Sequence, residues 1–174
     1  VAIQLRQRAV VRTADAERIA EALYSSEQRF DLAASATQDG IWEWRVENDG
    51  FYASPRYREM LGYPLDDEPL SYQLWFTRID PAHVPRVEEA IDGHFRRGLP
   101  YDVVVRFLTF RDEWVWLRVR GQGAWDNNGK PVRMAGSITD ITEELEAQRQ
   151  LLRHVETIAE SNKALAELAE VAKA

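Results

Sequence analysis

Few side chains in this sequence could carry out chemistry. There is no cysteine, which excludes disulfides, zinc–thiolate sites, a thiol nucleophile and a flavin attached through a cysteine. Asp66, Asp67 and Glu68 form a short run of carboxylates, but no base or nucleophile stands at a spacing that would complete a catalytic set. We therefore expect no catalytic site in this chain, and we interpret the acidic run as part of a loop.

His154 is the one histidine whose surroundings indicate a reaction. It lies in a long predicted helix, and a histidine on a paired helix can accept a phosphoryl group. Such histidines usually have an acidic residue directly after them and a proline a few positions later. Here Val155 follows, and no proline does. A solvated histidine beside a helix-pairing seam is the simpler interpretation, and phosphorylation of His154 is the alternative.

Six tryptophans raise the question of a pocket for a planar ligand. Aromatic residues at strand spacing more often pack in a core or on the face of a sheet. The tryptophans are Trp42, Trp44, Trp75, Trp114, Trp116 and Trp125. The candidate pocket consists of Trp42, Trp44, Tyr52, Leu61, Trp75 and Phe107. We expect this pocket to hold no cofactor and no metal.

The bulk composition limits the class of protein. The 174 residues suffice for one domain with a core, and 45% hydrophobic and 29% charged residues are ordinary for a globular domain. A net charge of −7 argues against a nucleic-acid surface, which needs a basic face. No apolar run approaches the roughly 20 residues that span a bilayer. The sequence starts without methionine and stops within a helical pattern, so we expect a cytoplasmic piece of a longer protein, which could itself be attached to a membrane.

The elements that must position these side chains follow from periodicity. Alternating apolar residues predict five strands, at residues 40–46, 51–53, 101–110, 114–120 and 132–141. Helical spacing and capping residues predict helices over residues 1–25, 55–61, 71–79 and 80–97. Strands and helices in separate runs indicate an α+β domain with one five-stranded antiparallel sheet and short helices on one face.

A long helix without glycine or proline follows Asp140. Its apolar spacing of three and four residues predicts a parallel, paired coiled coil. The seam residues are Leu151, Val155, Ile158, Asn162 and Leu165. A single asparagine at an a position disfavours higher oligomers and fixes the register. Glu144 and Gln148 weaken the seam near the strand, so we expect firm pairing only further along the helix.

Several spaced motifs resemble those of one known family. They are Ser26–Phe30, Asp39–Trp44, Ser54–Pro55 with Met60–Tyr63, Asp80–Pro81 with His83, Trp116–Gly121, Gly129–Arg133 and Asp140–Glu143. In this order they resemble a PAS domain, of the subtype often found in bacterial sensor proteins, over about residues 26–145. Asp112–Glu113 stands where the family usually has Asp-Gly, which leaves the type of that turn open.

The resemblance implies a module that senses or binds and passes a change to an effector through flanking helices. It implies that Asp140, Ile141 and Thr142 join the last strand to the output helix, with the aspartate often tied to a basic residue on a neighbouring strand. Arg118 or Arg120 would be that partner here. A plain N-cap by Asp140 is the alternative, because an acid at a helix start also suits the partial charge there.

The resemblance also implies possible occupants of the interior. Haem is the most familiar cofactor bound through histidine in such domains, which points to His83 or His94 as its ligand. A flavin without a cysteine adduct and a small metabolite are other occupants. Each histidine could instead make local hydrogen bonds, and an empty, packed interior is the first expectation.

We therefore expect a regulatory sensor and dimerisation module, without catalysis of its own, from a bacterial signalling protein. Its segments are a linker helix at 1–25, a PAS domain at 26–142 and a signalling helix at 143–174. Its partners would be a second copy and an adjacent PAS or effector domain, with no nucleic acid and no membrane. The effector would be a histidine kinase, a diguanylate cyclase or a phosphodiesterase. The alternatives are a haem- or flavin-binding sensor and a histidine-kinase fragment phosphorylated on His154.

Overall fold

The computed structural model describes residues 15–22, 24–25, 36, 38–63 and 70–172. Residues 15–22 and 24–25 are helical, as predicted for the N-terminal segment. The rest of that segment, the motif at 26–30, the acidic run at 66–68 and residues 173–174 lie outside the described residues.

A six-stranded antiparallel sheet forms the central layer. The strands are β1 (Gly40–Arg45), β2 (Gly50–Ala53), β3 (Leu70–Ser71), β4 (Tyr101–Leu108), β5 (Trp114–Trp125) and β6 (Pro131–Asp140). Their order is β3–β2–β1–β6–β5–β4, so β6 lies between β1 and β5. A Cβ at Gly136 of β6 would lie 1.8 Å from the carbonyl oxygen of Arg120. Glycine therefore permits the close approach of β6 to β5.

The sheet differs from the prediction at two places. It has a sixth strand, β3, which pairs with Gly50 and Phe51 of β2 and is only two residues long, too short to show alternation. Strand β5 runs on to Trp125 instead of ending near residue 120. The last five residues of β5 were not predicted because Gly121 and Gly123 lack side chains and so interrupt the alternating pattern.

Four labelled helices complete the fold: α1 (Pro55–Leu61), α2 (Tyr72–Phe76), α3 (Val84–Arg97) and α4 (Thr142–Ala172). The Ser54 hydroxyl oxygen caps α1 by accepting from the N–H of Tyr57, and it also accepts from the N–H of Ile41 in β1. Gly62, with φ of 72°, ends α1 in the left-handed conformation that favours glycine. One buried serine thus fixes α1 against the sheet.

Helix α3 begins at Val84 and not at Pro81, where the sequence predicted it. Asp80 still accepts from the N–H of Ala82, but this bond closes a turn ahead of the helix. The carbonyl of Asp80 accepts from the N–H of His83, and the N–H of Asp80 donates to the carbonyl of Arg106 in the edge strand β4. Residues 80–83 therefore form a turn beside that edge, and the proline in the first turn of α3 is Pro85 instead of Pro81.

Alternation along the strands separates a core face from an outer face. Helices α1 to α3 pack on the core face, where Val105, Leu117 and Ile138 are fully buried. Arg118 and Tyr52 lie on the outer face. The core is rich in aromatic residues, which include Trp42, Tyr57, Trp75, Tyr101 and Phe107.

Helix α4 leaves the sheet after its first turn. It begins at Thr142, one residue before the predicted boundary, and none of its residues to Ala172 is buried. The exposed fractions of Leu151, Val155, Ile158 and Leu165 are 56% to 65%. Among the described residues, no helix combines the length and the hydropathy needed to cross a membrane.

Candidate functional site

The junction between β6 and α4 is fixed by four hydrogen bonds. The Asp140 carboxylate accepts from the N–H of Thr142 (2.9 Å), and the Thr142 hydroxyl oxygen accepts from the N–H of Trp116 in β5 (2.9 Å). The N–H of Ile141 donates to the carbonyl of Trp116 (2.9 Å), and the N–H of Leu145 donates to the carbonyl of Ile141 (3.0 Å). The last strand therefore passes directly into α4, and β5 holds the first turn of the helix.

The structure corrects the predicted partner of Asp140. Arg118 and Arg120 both bind Asp102 of β4, Arg118 through two nitrogens at 2.8 and 2.6 Å and Arg120 at 3.5 Å. The strand register explains why. Asp140 lies opposite Leu117 on the core face, whereas both arginines belong to the outer face. The Asp140 carboxylate instead accepts from the N–H of Thr142, two residues along the chain, as in an Asx-turn. The N-cap position belongs to Ile141, which directly precedes α4 and whose carbonyl accepts the first helical hydrogen bond, so Asp140 does not act as the N-cap residue either.

Arg118 nevertheless interacts electrostatically with the start of α4. Its two hydrogen bonds hold the pKa of Asp102 below its usual range, aided by the charges of Arg118 and Arg120. The pKa of Arg118 is raised, chiefly by Asp102 and then by the carboxylate of Glu144 in the first turn of α4. The outer face of β5 therefore presents a positive charge toward that turn.

A further bond at the junction was missed at the sequence level. The Thr139 hydroxyl donates to the carboxylate of Asp39 at 2.8 Å. Asp39 immediately precedes β1, so this bond joins the chain that enters the domain to the residue just before Asp140. The sequence placed Asp39 in a motif and Thr139 in a strand, but only the pairing of β1 with β6 brings them together.

A small cavity lies inside the core. It has a volume of about 20 Å³ and is lined by Trp42, Phe51, Tyr57, Tyr72, Trp75, Tyr101, Val119 and Ile138. Two of the predicted pocket residues, Trp42 and Trp75, line it. Leu61 and Phe107 are instead fully buried in the surrounding core.

The other two predicted pocket residues lie elsewhere. Trp44 stacks on Tyr72, with ring centroids 4.2 Å apart, and both line an open groove beside α2 and α3. Tyr52 is exposed, because it pairs with Glu43 on the outer face, the face opposite the cavity. Placing Tyr52 in the pocket was therefore wrong, since alternation along β2 turns it away from the core.

The Trp42 indole N–H is buried and has no hydrogen-bond partner among the residues that the structure describes. It belongs to a residue that lines the cavity and is only 6% exposed. A cavity of about 20 Å³ accepts about one water molecule, and a water there could bind this N–H. Burial raises the pKa of Tyr57 and of Tyr101, so their hydroxyls stay neutral around the same space.

The interior does not fit haem or flavin in this conformation, because pockets for ligands of that size hold hundreds of Å³ (roughly 300 or more). Neither candidate histidine lines the cavity. His94 is buried, with Nδ1–H donating to the Leu99 carbonyl and Nε2 accepting from the N–H of Gly123. His83 accepts from the N–H of Arg106 through Nδ1. The part of the chain that is described contains no group of three or more carboxylates and histidines suited to a metal.

The predicted seam and His154 both lie on the exposed part of α4. Leu151, Val155, Ile158 and Leu165 share the predicted face, with Asn162 between the last two. His154 is exposed, and its Nδ1 bonds the carbonyl of Gln150 one turn earlier (2.9 Å). The described chain therefore presents an apolar stripe along a helix that has left its own domain.

Comparison with known proteins identifies the family. The family model of the PAS fold matches residues 51–138. The Non-motile and phage-resistance protein of Caulobacter vibrioides is 32% identical over 155 residues, which are 85% of this chain and 18% of that protein. Sensor protein FixL of Bradyrhizobium diazoefficiens is 30% identical over 112 residues, 64% of this chain and 22% of FixL. The chain thus spans about a fifth of the length of these relatives.

A solved structure agrees with this match. That of a sensory box histidine kinase/response regulator from Burkholderia thailandensis is 30% identical to the chain, with a TM-score of 0.64. The similarity covers 75% of this chain and 98% of that one. The predicted α+β class and the resemblance are confirmed, and the chain belongs to the PAS fold family, as a sensor domain of the kind found in bacterial signalling proteins.

Proposed function

We propose that this PAS chain is the regulatory and dimerisation module of a signal-transduction protein, and that it relays a change of state through Asp140, Ile141 and Thr142 to a downstream effector. The observation that carries the proposal is the direct passage of the central strand β6 into α4. The first turn of α4 is bonded to β5, while the rest of the helix exposes an apolar stripe. In this proposal, a signal from the domain leaves along this helix.

The stripe supports parallel pairing of two copies. Its seam positions alternate at the spacing of a two-stranded coiled coil, and pairing would bury side chains that are more than half exposed in one chain. Two paired helices can differ by rotation or by register, which supplies the two states that a relay needs. A stimulus shifts their populations only as far as it binds one state better than the other.

The relay residues act in defined ways in this proposal. Asp140 accepts from the N–H of Thr142 just before α4, Thr142 binds β5, and Ile141 connects strand to helix. Arg118 and Arg120 contribute by fixing Asp102 on the outer face, and Arg118 adds its charge opposite Glu144. A histidine kinase is the first candidate for the effector, because similar proteins include a sensory box histidine kinase. A diguanylate cyclase or a phosphodiesterase is the alternative.

The test is Asp140→Ala in the full-length protein, read as effector activity with and without stimulus. Losing the hydrogen bond from the N–H of Thr142 costs about 1 kcal/mol at the start of α4, which should change the basal output, the response, or both. Asp126→Ala is the matched control. The Asp126 carboxylate also accepts from backbone N–H groups, those of Asn128 and Lys130, but in the turn between β5 and β6. The proposal fails if Asp140→Ala leaves both quantities unchanged.

A second candidate is a sensor that binds a small metabolite in the core. The unpartnered N–H of Trp42 favours it, because a hydrogen-bond acceptor in the cavity would satisfy this buried donor. Because the cavity of about 20 Å³ accepts only about one water molecule, a metabolite would require it to open, and haem or flavin would require a much larger opening. Absorption spectra of the purified chain, before and after addition of haem or flavin, test those two cofactors, and the absence of a new visible band rejects them.

Phosphorylation of His154 is the remaining alternative for the parent protein. Its Nδ1 bonds within the helix, and the rest of the exposed ring faces solvent. Transfer of label from ATP in the full-length protein decides the matter. Label that survives His154→Ala rules this residue out.

A further inference from the structure

Trp116 of β5 contacts the output helix α4 at two places and the residue that precedes α3. Its N–H and carbonyl bind Thr142 and Ile141 at the start of α4. Its indole ring lies 5.4 Å from the guanidinium carbon of Arg149, about two turns along the same helix. The ring also lies 5.4 Å from the imidazole of His83, with an angle of 45° between the two ring planes. His83 directly precedes α3.

The His83 ring is itself fixed to the sheet. Its Nδ1 accepts from the N–H of Arg106, which lies opposite Trp116 in the pairing of β4 with β5. A movement of the N-terminus of α3 along the β4 edge would therefore displace the imidazole against the indole ring. The other end of α3 is held by His94, whose Nε2 accepts from Gly123 of β5. The N-terminal end of α3 is thus the end closest to the output helix.

We propose that the Trp116 side chain couples the position of α3 to the orientation of α4. The backbone of Trp116 anchors the first turn of α4, and its ring holds the following turns through Arg149. A shift of His83 against the ring changes that contact and so changes the angle at which α4 leaves the domain. This inference rests on the proposed relay role of the chain, and it adds a positioning residue that lies outside the Asp140–Thr142 junction.

The neighbouring tryptophan provides a matched control. Trp114 lies two residues earlier on the same face of β5, is 43% exposed, and stacks with the Arg106 guanidinium at 4.8 Å. The arginine on its ring belongs to β4, whereas the arginine on the Trp116 ring belongs to α4. A residue that merely covers the outer face of the sheet should behave alike at both positions. A coupling residue should act at Trp116 alone.

The experiment is hydrogen exchange of backbone amides in residues 145–152 of this chain. His83→Asn keeps an acceptor oxygen for the N–H of Arg106 but removes the ring that touches Trp116. A partly exposed contact between a cation and an aromatic ring supports about a 2- to 5-fold change in local exchange. We expect faster exchange in His83→Asn and in Trp116→Leu. The double variant should be no faster than Trp116→Leu alone, and Trp114→Leu should leave these amides unchanged.

Two results would overturn the inference. One is an equal effect of His83→Asn with and without the Trp116 ring, and the other is an equal effect of Trp114→Leu and Trp116→Leu. If Trp116→Leu does not fold, Arg149→Gln replaces it in the cycle, because it removes only the contact on the α4 side. The readout is local to the chain, so it is independent of effector output. Failure of the Asp140→Ala test with a positive exchange result would reject the relay but keep the coupling.

Discussion

Pairing of α4 can be tested at Ile158, a d position in the middle of the seam. Replacing this isoleucine by alanine removes three side-chain carbons, each worth about 0.8 kcal/mol when buried. Since the side chain is 58% exposed in one chain, pairing can newly bury about that fraction of it. The loss is then about 1.4 kcal/mol in each copy and about 2.8 kcal/mol for the dimer. Ile158→Ala should therefore raise the dissociation constant about 100-fold.

Sedimentation over a wide range of protein concentration measures this constant. Val171→Ala is the control, because it also replaces a β-branched residue of α4 by alanine but lies outside the seam, at a residue that is 74% exposed. It should leave the constant nearly unchanged, and it accounts for the altered helix propensity. Asn162→Val should tighten association and loosen register or stoichiometry.

Two outcomes would refute the argument for pairing. One is a chain that stays monomeric at every concentration while circular dichroism shows α4 to be helical. The other is a dimer that Ile158→Ala and Val171→Ala weaken equally. In the first case the stripe does not pair in this chain, and in the second the interface does not follow the predicted seam.

Three further predictions concern the domain itself. Trp42→Phe removes the unpartnered N–H, and Trp75→Phe is a matched change beside the same cavity. Both should lower the free energy of unfolding, but the loss should be about 1–3 kcal/mol smaller for Trp42→Phe. Equal losses in urea unfolding would contradict this. Gly136→Ala should unfold or strongly destabilise the chain, because its Cβ would overlap the next strand, and a near-normal melting temperature would show that the strands can separate. Burial raises the pKa of Tyr57 and Tyr101 in the folded protein above the value near 10 of the unfolded chain. The stability that these two residues contribute is therefore complete below about pH 10 and is lost at higher pH. The loss is up to about 1.4 kcal/mol per pH unit for each residue. Tyrosinate absorbance should accordingly rise together with unfolding, and titration of these residues in the folded protein near pH 10 would disprove their burial.

Much of the fold follows from local sequence, because its elements carry their own signals. Ser54, Pro55 and Gly62 mark both ends of α1, and the structure places each as cap, first residue and left-handed terminator. The start of α3 could not be read in the same way. Asp80 has the side chain of a helix cap, but it closes a separate turn at residues 80–83, which is bonded to Arg106 of β4 and so depends on where the chain meets the sheet. Tertiary contacts here override a local preference.

The site was predicted less completely than the fold, and one error could have been avoided. Asp140 lies two residues after the buried Ile138, so alternation alone places it on the core face, away from Arg118 and Arg120. The bond from Thr139 to Asp39 is different, because it depends on the register of β1 with β6. Nothing in either segment indicates that register. A sequence motif is enough to predict the junction residues, but their hydrogen-bond partners can be identified only from the pairing of the strands.

The position of β6 limits how a change can leave this domain. The strand pairs with β1 along one side and with β5 along the other, and Gly136 holds it close to β5. A slip by one residue would move Ile138 from the core to the outer face and break both ladders, so the strand cannot act as a sliding element. The bonds beyond Asp140 are fewer and lie on one side, from Ile141 and Thr142 to Trp116. Reorientation of α4 about this short segment therefore costs less than any change of register, and the junction is where motion of the output helix should be confined.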